Sequence, residues 1–246
     1  MTYKDLFSRQ STDYARFRPT YPAALFAWLA AESPGRALAI DVGAGNGQAA
    51  AALAAHFDQV LGLDPSEAQI AKAAPVPRVT LRSGSAEATG AAPASADLLV
   101  AAQAFHWFDQ PAFFAEVRRV VRPGGLLAVW SYGLAAITPE LDAVVYQLYE
   151  DYLGPYWEPE RKLVETGYRE VAFPFTELAV PPFAMELTWT LEHLAGYLGT
   201  WSPLKRYRDE KHEDPLALIA PKLMGAWGDA PERAVSWRLA VRAFRV

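Results

Sequence analysis

A glycine-rich segment, Asp41-Val42-Gly43-Ala44-Gly45-Asn46-Gly47, joins a predicted strand to a predicted helix. Loops that bind nucleotides occur in this context, because glycine lets the backbone turn tightly and approach a ligand without a Cβ clash. The pattern is Gly-x-Gly-x-Gly, whereas a dinucleotide-binding fingerprint places its third glycine one residue later, where this chain has Gln48. The segment predicts that a nucleotide-like ligand lies against Gly43, Ala44 and Gly45.

Two acidic residues stand at the ends of the first two predicted strands. Asp64 ends the second strand, where a carboxylate can accept hydrogen bonds from both hydroxyls of a ribose, each worth about 1.5–3 kcal/mol. Asp64 also precedes Pro65 and a predicted helix, so capping that helix is an alternative role, and the two roles can coexist. Asp41 ends the first strand, where it can hold an ammonium group, directly or through water, or can stabilise the turn.

A third group of candidate residues, Ser85-Ala86-Glu87, follows the third predicted strand. We expect the edge of an adenine ring there, with the backbone N–H of Ala86 as a donor. Ser85 and Pro65 complete the predicted contacts with the same ligand. For Glu87 the alternative is an ordinary carboxylate in the first turn of a helix.

The elements that must position these residues alternate along residues 36–132. The predicted strands are Ala37–Val42, Gln59–Leu63, Val79–Arg82, Asp97–Ala101 and Leu126–Ser131. The predicted helices are Gln48–Phe57, Pro65–Ala74 and Gln110–Val121. Such alternation makes a parallel sheet with helices on both faces, and ligands then bind beyond the carboxyl ends of the strands.

The chain as a whole divides into four predicted regions. Residues 1–35 form a helical lead-in, residues 36–133 the ligand-binding core, residues 134–232 a cap with additional elements, and residues 233–246 a terminal edge strand. The predicted fold class is therefore α/β and Rossmann-like. It has a mostly parallel seven-stranded sheet with helices on both faces and a C-terminal helical and extended cap.

Composition limits the partners of this 246-residue chain. Its formal net charge is −5, and an acidic chain is repelled by phosphates, so we expect no nucleic acid partner. Cysteine is absent and no two of the four histidines stand at i, i+4 spacing, so no metal site is predicted. The start does not resemble a secretory signal and no apolar run could span a bilayer. We therefore expect a cytoplasmic monomer or homodimer without a membrane partner.

Six motifs occur in order along the chain. They are Phe7-Ser8-Arg9-Gln10 with Tyr14, Arg18-Pro19 and Tyr21-Pro22; Asp41–Gly47; Leu63-Asp64-Pro65-Ser66; Gly84-Ser85-Ala86-Glu87; Gln103-Ala104-Phe105-His106-Trp107-Phe108; and Arg122-Pro123-Gly124-Gly125. With these motifs the chain resembles the class I S-adenosylmethionine-dependent methyltransferases, and more narrowly the small-molecule group (methyltransferase type 11) that includes trans-aconitate methyltransferase-like proteins. The resemblance covers residues 5–132 well. It is specific for the cofactor and poorly specific for the acceptor, because members of the group differ there.

The resemblance implies S-adenosyl-L-methionine as the cofactor. It implies that the lead-in folds over the cofactor, with Tyr14 and Arg18 near the methionine end. Arg18 can pair with the cofactor carboxylate through a bidentate fork, or can be a surface residue before a loop proline. Gln103, just past the fourth strand, is expected near the amino-acid end of the cofactor.

The residues expected around the acceptor follow Gln103 or lie in the cap. His106 can act as a general base, orient the acceptor, or pack between aromatic rings. Arg206 is a candidate anchor for a carboxylate, or is exposed in the charged run Lys205–Lys211. The aromatic candidates, each of which can instead belong to the core, are Trp107, Trp130, Tyr132, Trp157, Trp201 and Tyr207.

The function that these features predict is methyl transfer to a small molecule by direct in-line displacement. Such a reaction mainly requires alignment and exclusion of water. O-methylation of a carboxylic acid is the specific hypothesis, because an acceptor that is already ionised needs no base. A nicotinamide-dependent oxidoreductase and a non-catalytic cofactor-binding protein of the same fold are the alternatives.

Overall fold

The computed structural model describes residues 17–246 and contains one β-sheet. Its strands are β1 (Leu38–Val42), β2 (Gln59–Asp64), β3 (Val79–Ser83), β4 (Ala96–Ala102), β5 (Val121–Tyr132), β6 (Thr176–Glu177), β7 (Phe183–Trp189) and β8 (Arg233–Arg245). Across the sheet the order is β3-β2-β1-β4-β5-β8, and β6 and β7 pair with different lengths of β8. The eight strands therefore fill seven positions, and the predicted α/β fold is confirmed.

The parallel part of the sheet, β1 to β5, reverses its winding direction beside β1. Strands β2 and β3 lie on one side of β1, and β4 and β5 on the other. In open α/β sheets such a reversal leaves a crevice beyond the carboxyl ends of the strands. The central strand β4 is buried on both faces, and its one charged residue is satisfied. Asp97 accepts the backbone N–H of Ala37 at 2.8 Å and pairs with Arg122 at 3.0 Å.

Helices cover both faces of the sheet. They are α1 (Ala23–Glu32), α2 (Gln48–Leu53), α3 (Glu67–Ile70), α4 (Gln110–Val120), α5 (Pro139–Gln147), α6 (Arg161–Glu165), α7 (Leu191–Gly199), α8 (Pro203–Lys211) and α9 (Pro215–Trp227), with 3-10 turns at Phe105–Trp107 and Gly154–Tyr156 and a π-helical turn at Leu148–Tyr152. Successive residues of a strand face opposite sides. On β1, Ala39 belongs to the apolar cluster of α1 and α2, whereas Ile40 belongs to that of α4.

The cap shares its interior with one face of the sheet. Helices α5, α7, α8 and α9 contribute buried side chains to the same apolar cluster as α1. Trp237 of β8 is fully buried among them, with its ring centre 4.8 Å from that of Trp189 and 5.5 Å from that of Tyr197. Cap and core are therefore held together by one continuous apolar cluster.

Three predicted elements differ from the structure. The prediction of an edge strand at residues 233–246 was wrong, because β8 pairs with β5 on one side and with β6 and β7 on the other. Alternation of apolar and polar residues shows which face of a strand is buried. It does not show whether the strand lies at the edge of the sheet, because an interior antiparallel strand has the same pattern. Strand β5 begins at Val121 rather than Leu126, since Gly124 and Gly125 pair with the chain end at Val246. The helix after Asp64 is only one turn long.

No membrane span and no metal cluster occurs in the part of the chain that the structure describes. Within residues 17–246 no helix is both long and apolar enough to cross a bilayer. The longest, α9, has 13 residues, where a span needs about 20. No group of three or more His, Asp or Glu side chains among these residues is placed to hold a metal ion.

Candidate functional site

A cavity of about 950 Å³ lies at the carboxyl ends of β1, β2 and β4, where the strand order reverses. Its volume is at the upper end of the roughly 300–1,000 Å³ typical of small-molecule sites. The glycine loop and the strand ends predicted from the sequence form its wall. The predicted residues in this wall are Arg18, Gly43, Ala44, Gly45, Asp64, Pro65, Ser85, Ala86, Glu87, Gln103, Trp107 and Tyr132.

The glycine loop holds three glycines in the left-handed region, with φ of 69° at Gly43, 56° at Gly45 and 82° at Gly47. A Cβ at Gly43 would lie 2.4 Å from the Cβ of Ala104, and a Cβ at Gly47 would lie 2.9 Å from the side chain of Leu81. A Cβ at Gly45 would meet no atom within 4 Å. Packing inside the protein therefore requires two of these glycines, whereas Gly45 leaves open space at the cavity wall.

Asp64 ties the end of β2 to the glycine loop. Its Oδ2 accepts the backbone N–H of Gly45 at 2.8 Å, and its Oδ1 accepts that of Ser66 at 2.8 Å. Ser66 is itself the N-cap of α3, since its hydroxyl accepts the N–H of Gln69 at 3.3 Å. Burial raises the pKa of Asp64, and the two backbone hydrogen bonds oppose that shift. Each carboxylate oxygen keeps further accepting capacity, so Asp64 can order the loop and still accept hydroxyls of a ligand.

Asp41 lies beneath the loop, fully buried, and is not part of the cavity wall. Neither of its carboxylate oxygens makes a hydrogen bond of normal geometry. Burial raises the pKa of Asp41 to about 8; the backbone amide of Ala50 opposes this shift and the charge of Asp64 adds to it. The carboxyl group is therefore mostly protonated at pH 7. The prediction that Asp41 holds an ammonium group directly is therefore not supported, because the loop lies between its carboxyl group and the cavity.

The segment after β3 contributes to the wall as predicted. Ala86 is buried there, and Ser85 forms a short antiparallel bridge with Ala88. The Oε1 of Glu87 accepts the backbone N–H of Asp109 at 3.0 Å, just before α4. No helix follows Glu87 in the described structure, so the alternative of a helix carboxylate was wrong, and Glu87 instead fastens two loops at the cavity rim.

Gln103 joins the ends of β4 and β5 at the cavity. It has a φ of 55°, which is uncommon outside glycine and clusters at functional sites. Its Nε2 donates to the carbonyl of Tyr132 at 3.1 Å, and its Oε1 accepts the N–H of the same residue at 2.9 Å. The Nη1 of Arg18 donates to the Tyr132 hydroxyl at 3.3 Å, and its guanidinium lies 5.4 Å from the ring centre of Tyr197. Tyr14 lies outside the described residues.

A smaller chamber of about 50 Å³ adjoins this cavity, and Arg18, Gln103 and Tyr132 belong to both walls. A water molecule needs roughly 10–15 Å³ by the same measure, so the chamber has room for a compact polar group. Trp157 and Trp201, which were both predicted to lie around the acceptor, are part of the chamber wall and therefore lie beside the larger cavity. Its remaining wall residues are Gly133, Arg161, Tyr197 and Ser202.

Sequence reasoning missed three charged residues of the site: Asp109, which is the N-cap of α4, and Glu160 and Arg161. The guanidinium of Arg161 lies 4.7 Å from the ring centre of Trp157, in the wall of the smaller chamber. Glu160 lies in the wall of the larger cavity, and its Oε2 is buried without a hydrogen bond. The i, i+4 spacing of Trp157 and Arg161 could have indicated that their side chains meet on one face of a helix. Pro155 and Pro159 in the same segment, however, argue against a continuous helix there.

His106 belongs to the wall of neither cavity. It is buried, with Nδ1 3.1 Å from the hydroxyl of Tyr168 and its ring centre 4.8 Å from that of Trp107. Burial, and secondly the charge of Arg161, lower the pKa of His106 to about 3. An enclosed imidazole with this pKa is a poor proton acceptor at pH 7. Of the three roles considered for His106, the structure favours packing between aromatic rings.

Three other predicted acceptor residues lie away from both cavities. Arg206 pairs with Glu158, which is 48 residues away in sequence and therefore could not be inferred from local pattern. Tyr207 is buried, and its hydroxyl donates to Glu213 at 2.6 Å. Trp130 is fully buried in the core. The prediction that Arg206 anchors an acceptor is therefore not supported, because its guanidinium is already occupied.

The fold and the site together define a class of protein. A parallel sheet closed by an antiparallel strand, a glycine loop after β1, and a carboxylate at the end of β2 beside a large cavity are the features of a class I S-adenosylmethionine-dependent methyltransferase. Residues 40–129 match the family described as methyltransferase domain. A protein of Dictyostelium discoideum named as a methyltransferase is 35% identical over 92% of this chain and 87% of its own length. The chain belongs to this methyltransferase family, and its cofactor is S-adenosylmethionine.

Solved structures agree with this assignment. A candidate type II methyltransferase from Anaeromyxobacter dehalogenans is 50% identical, with a TM-score of 0.87 over 93% of this chain and 98% of that one. A structure from Anabaena variabilis, described as a methyltransferase from an antibiotic biosynthesis pathway, is 20% identical, with a TM-score of 0.58 over 94% of this chain and 99% of that one. The second likeness shows the fold alone.

Proposed function

We propose that this methyltransferase acts on a small organic acid and methylates a carboxylate oxygen. The observation that carries the proposal is the pair of adjoining spaces at the strand ends. The larger, about 950 Å³, contains the glycine loop, and the smaller, about 50 Å³, is lined by Arg18 and Arg161. Guanidinium groups among aromatic rings favour a compact anion, because the planar fork matches the geometry of a carboxylate.

The larger cavity fits the cofactor that the family binds. The open space at Gly45 and the remaining accepting capacity of Asp64 are what an adenosyl ligand against this loop would require. When bound, S-adenosylmethionine supplies a methyl group that is already activated on a positively charged sulfur. We assign the backbone contact to Gly43–Gly45, the ribose to Asp64 and Pro65, the adenine to Ser85–Glu87, and the methionine end to Arg18 and Gln103, with Asp41 acting only through the loop above it.

The proposed reaction requires no proton transfer from the acceptor. A carboxylate oxygen forms the new C–O bond as the C–S bond breaks, the electron pair goes to sulfur, and the opposite charges of the two reactants cancel. The enclosed position of His106 agrees with this scheme. The wall residues Trp107, Tyr132 and Trp157 would then align the acceptor and exclude water, which is the main requirement of such a transfer.

The family assignment favours methyl transfer over the reaction of a nicotinamide-dependent oxidoreductase and over a non-catalytic cofactor-binding role. We further propose that the protein acts in the cytoplasm as a monomer or homodimer, without a nucleic acid or membrane partner. The net charge of −5 supports the absence of a nucleic acid partner.

A transfer screen with isotopically labelled S-adenosylmethionine tests the proposal. Small carboxylic acids, phenols and amines are offered separately, and product masses are recorded. We expect methyl esters of acids, formed at a rate that is flat above about pH 5, where the acid is ionised. Methylated phenols or amines, formed at a rate that climbs with pH, would replace the carboxylate hypothesis. Absence of transfer to any of these acceptors, with the cofactor shown to bind, would contradict a small-molecule function.

A further inference from the structure

Tyr168 lies in the turn that follows α6, and its side chain is fully buried. Gly167 and Tyr168 both have positive φ, 60° and 61°. A positive φ is uncommon for a bulky residue and is kept only where the surrounding structure holds it. Here the backbone N–H of Tyr168 donates to the carbonyl of Leu163 at 2.9 Å, and the Nη1 of Arg242 donates to the carbonyl of Tyr168 at 2.7 Å. The turn directs the Tyr168 ring inward, where its centre lies 5.1 Å from that of Phe105.

The hydroxyl of Tyr168 has one specific partner in the protein interior, the imidazole of His106. The hydroxyl oxygen lies 3.1 Å from Nδ1 of His106. Burial raises the pKa of Tyr168, whereas the backbone amide of His106 and the charge of Arg161 oppose that shift. The phenol therefore stays protonated at neutral pH, and His106 stays neutral because its pKa is about 3. A hydrogen bond between two neutral groups joins the two residues.

This hydrogen bond connects two segments that contribute to the cavity walls and lie 62 residues apart in sequence. His106 directly precedes Trp107, which lines the larger cavity, and the two ring centres lie 4.8 Å apart. Tyr168 closes the turn after α6, whose first residue, Arg161, lines the smaller chamber. The wall formed by the turn after β4 and the wall formed by the cap are thus tied together behind the site.

Alignment is the main requirement of an in-line methyl transfer, and a displacement of about 1 Å can lower a rate a hundredfold. A hydrogen bond fixes two walls more narrowly than apolar packing alone, because it depends on both distance and direction. Neither His106 nor Tyr168 lines a cavity, so neither is placed to contact the reactants. Their effect on the reaction must act through the wall residues that they hold.

We propose that His106 and Tyr168 are positioning residues for methyl transfer, and that their hydrogen bond fixes Trp107 relative to α6 so that the acceptor meets the methyl group in line. This inference rests on the methyltransferase family of the chain and not on the identity of the acceptor. It therefore holds even if phenols or amines, rather than carboxylic acids, are methylated.

Four variants test the inference by kinetics. Tyr168→Phe removes the hydroxyl and keeps the ring, His106→Leu removes the partner, and His106→Asn keeps a polar atom near the position of Nδ1. Tyr207→Phe is the matched control, because it removes a buried tyrosine hydroxyl that pairs with Glu213 and lines neither cavity. The acceptor is the compound that the transfer screen finds to react fastest, and thermal unfolding checks that each variant folds.

We expect Tyr168→Phe and His106→Leu each to lower kcat roughly tenfold to a hundredfold. The KM of the acceptor and the Kd of S-adenosylmethionine should change by less than about threefold. Combining the two substitutions should cost no more than the larger single effect, since both remove the same hydrogen bond. His106→Asn should recover most of the lost rate, and Tyr207→Phe should keep the wild-type kcat. Equal losses of kcat in Tyr168→Phe and Tyr207→Phe, or additive losses in the combined variant, would overturn the inference.

Fluorine NMR tests the positioning itself and needs no acceptor. The protein is labelled with fluorotryptophan and saturated with S-adenosylhomocysteine, and Trp107→Phe assigns the resonance of Trp107. Because Tyr168→Phe keeps the aromatic ring, a shifted or split Trp107 resonance in this variant reports movement of the wall. We expect that change, with no change for Trp227 of α9, which lines neither cavity. An unchanged Trp107 resonance in folded Tyr168→Phe would overturn the inference while leaving the proposed carboxylate acceptor intact.

Discussion

Two glycine-to-alanine substitutions with the same backbone cost test whether the glycine loop contacts the cofactor. Gly45 and Gly124 both have positive φ, 56° and 77°, and a Cβ at either position would meet no atom within 4 Å. Gly45 lies in the cavity wall, whereas Gly124 lies near the start of β5, at the opposite end of the strand from the cavity. Gly124→Ala is therefore a matched control for Gly45→Ala.

The structure allows the expected loss of stability and the expected loss of cofactor affinity to be estimated. A left-handed backbone costs a residue with a Cβ roughly 1–2 kcal/mol, so both variants should lose a similar free energy of unfolding. For a protein of this size each kcal/mol lowers Tm by about 2–4 °C. In Gly45→Ala the new methyl group also occupies space that the ligand would fill. Forcing in a methyl costs about 1–3 kcal/mol, which corresponds to a roughly fivefold to 150-fold higher Kd for S-adenosylmethionine.

Thermal unfolding and calorimetric titration with S-adenosylmethionine measure the two effects separately. We expect equal falls in Tm for the two variants and weaker binding only for Gly45→Ala. Equal Kd values in the two folded variants would refute the assignment of the loop to the cofactor. A much larger loss of stability in Gly45→Ala than in Gly124→Ala would show that the space beside Gly45 is needed by the protein itself.

Three further substitutions test individual carboxylates and the histidine. Asp64→Asn should weaken S-adenosylmethionine binding by about one to two orders of magnitude, because charged hydrogen bonds are lost. Ser66→Ala, which removes the N-cap of α3, is the control and should leave the affinity unchanged. An unchanged Kd for Asp64→Asn in calorimetry would contradict the assignment of Asp64 to the ribose. His106→Gln should have the same pH–rate profile as the wild type, because a pKa of about 3 leaves His106 neutral above about pH 4. Loss of a rate increase near pH 6.5 in this variant would show that His106 acts as a general base. A cationic cofactor should lower the pKa of Asp41 from about 8, so binding at pH 7 should release a proton in the wild type and none in Asp41→Asn. Calorimetry in buffers of different ionisation enthalpy measures this release, and its absence in the wild type would show that Asp41 does not sense the ligand.

Those parts of the fold and site that depend on neighbours in sequence could be predicted from the sequence. Strands β1, β4 and the second half of β5 were recognised as short apolar runs, because strands buried on both faces carry few polar residues. The loop at Gly43–Gly47 and the acid at Asp64 were placed correctly, since each directly follows a strand and strand ends meet at one edge of a parallel sheet. The loop and the acid also lie close together at the ends of neighbouring strands, as the 2.8 Å hydrogen bond from the N–H of Gly45 to Asp64 shows.

The tertiary structure alone decided which cap residues line the two cavities and which do not. Arg206 adjoins Tyr207 in sequence and Arg161 follows Trp157 by four residues, but Arg206 pairs with Glu158, whereas Arg161 contacts the rings of Trp157 and Tyr149 and lines the smaller chamber. The interior position of β8 is equally non-local, because it depends on partners on both sides. A charged group is available to a ligand only if no opposite charge lies within a few ångströms, and in the cap that proximity is set by the packing of helices far apart in the chain.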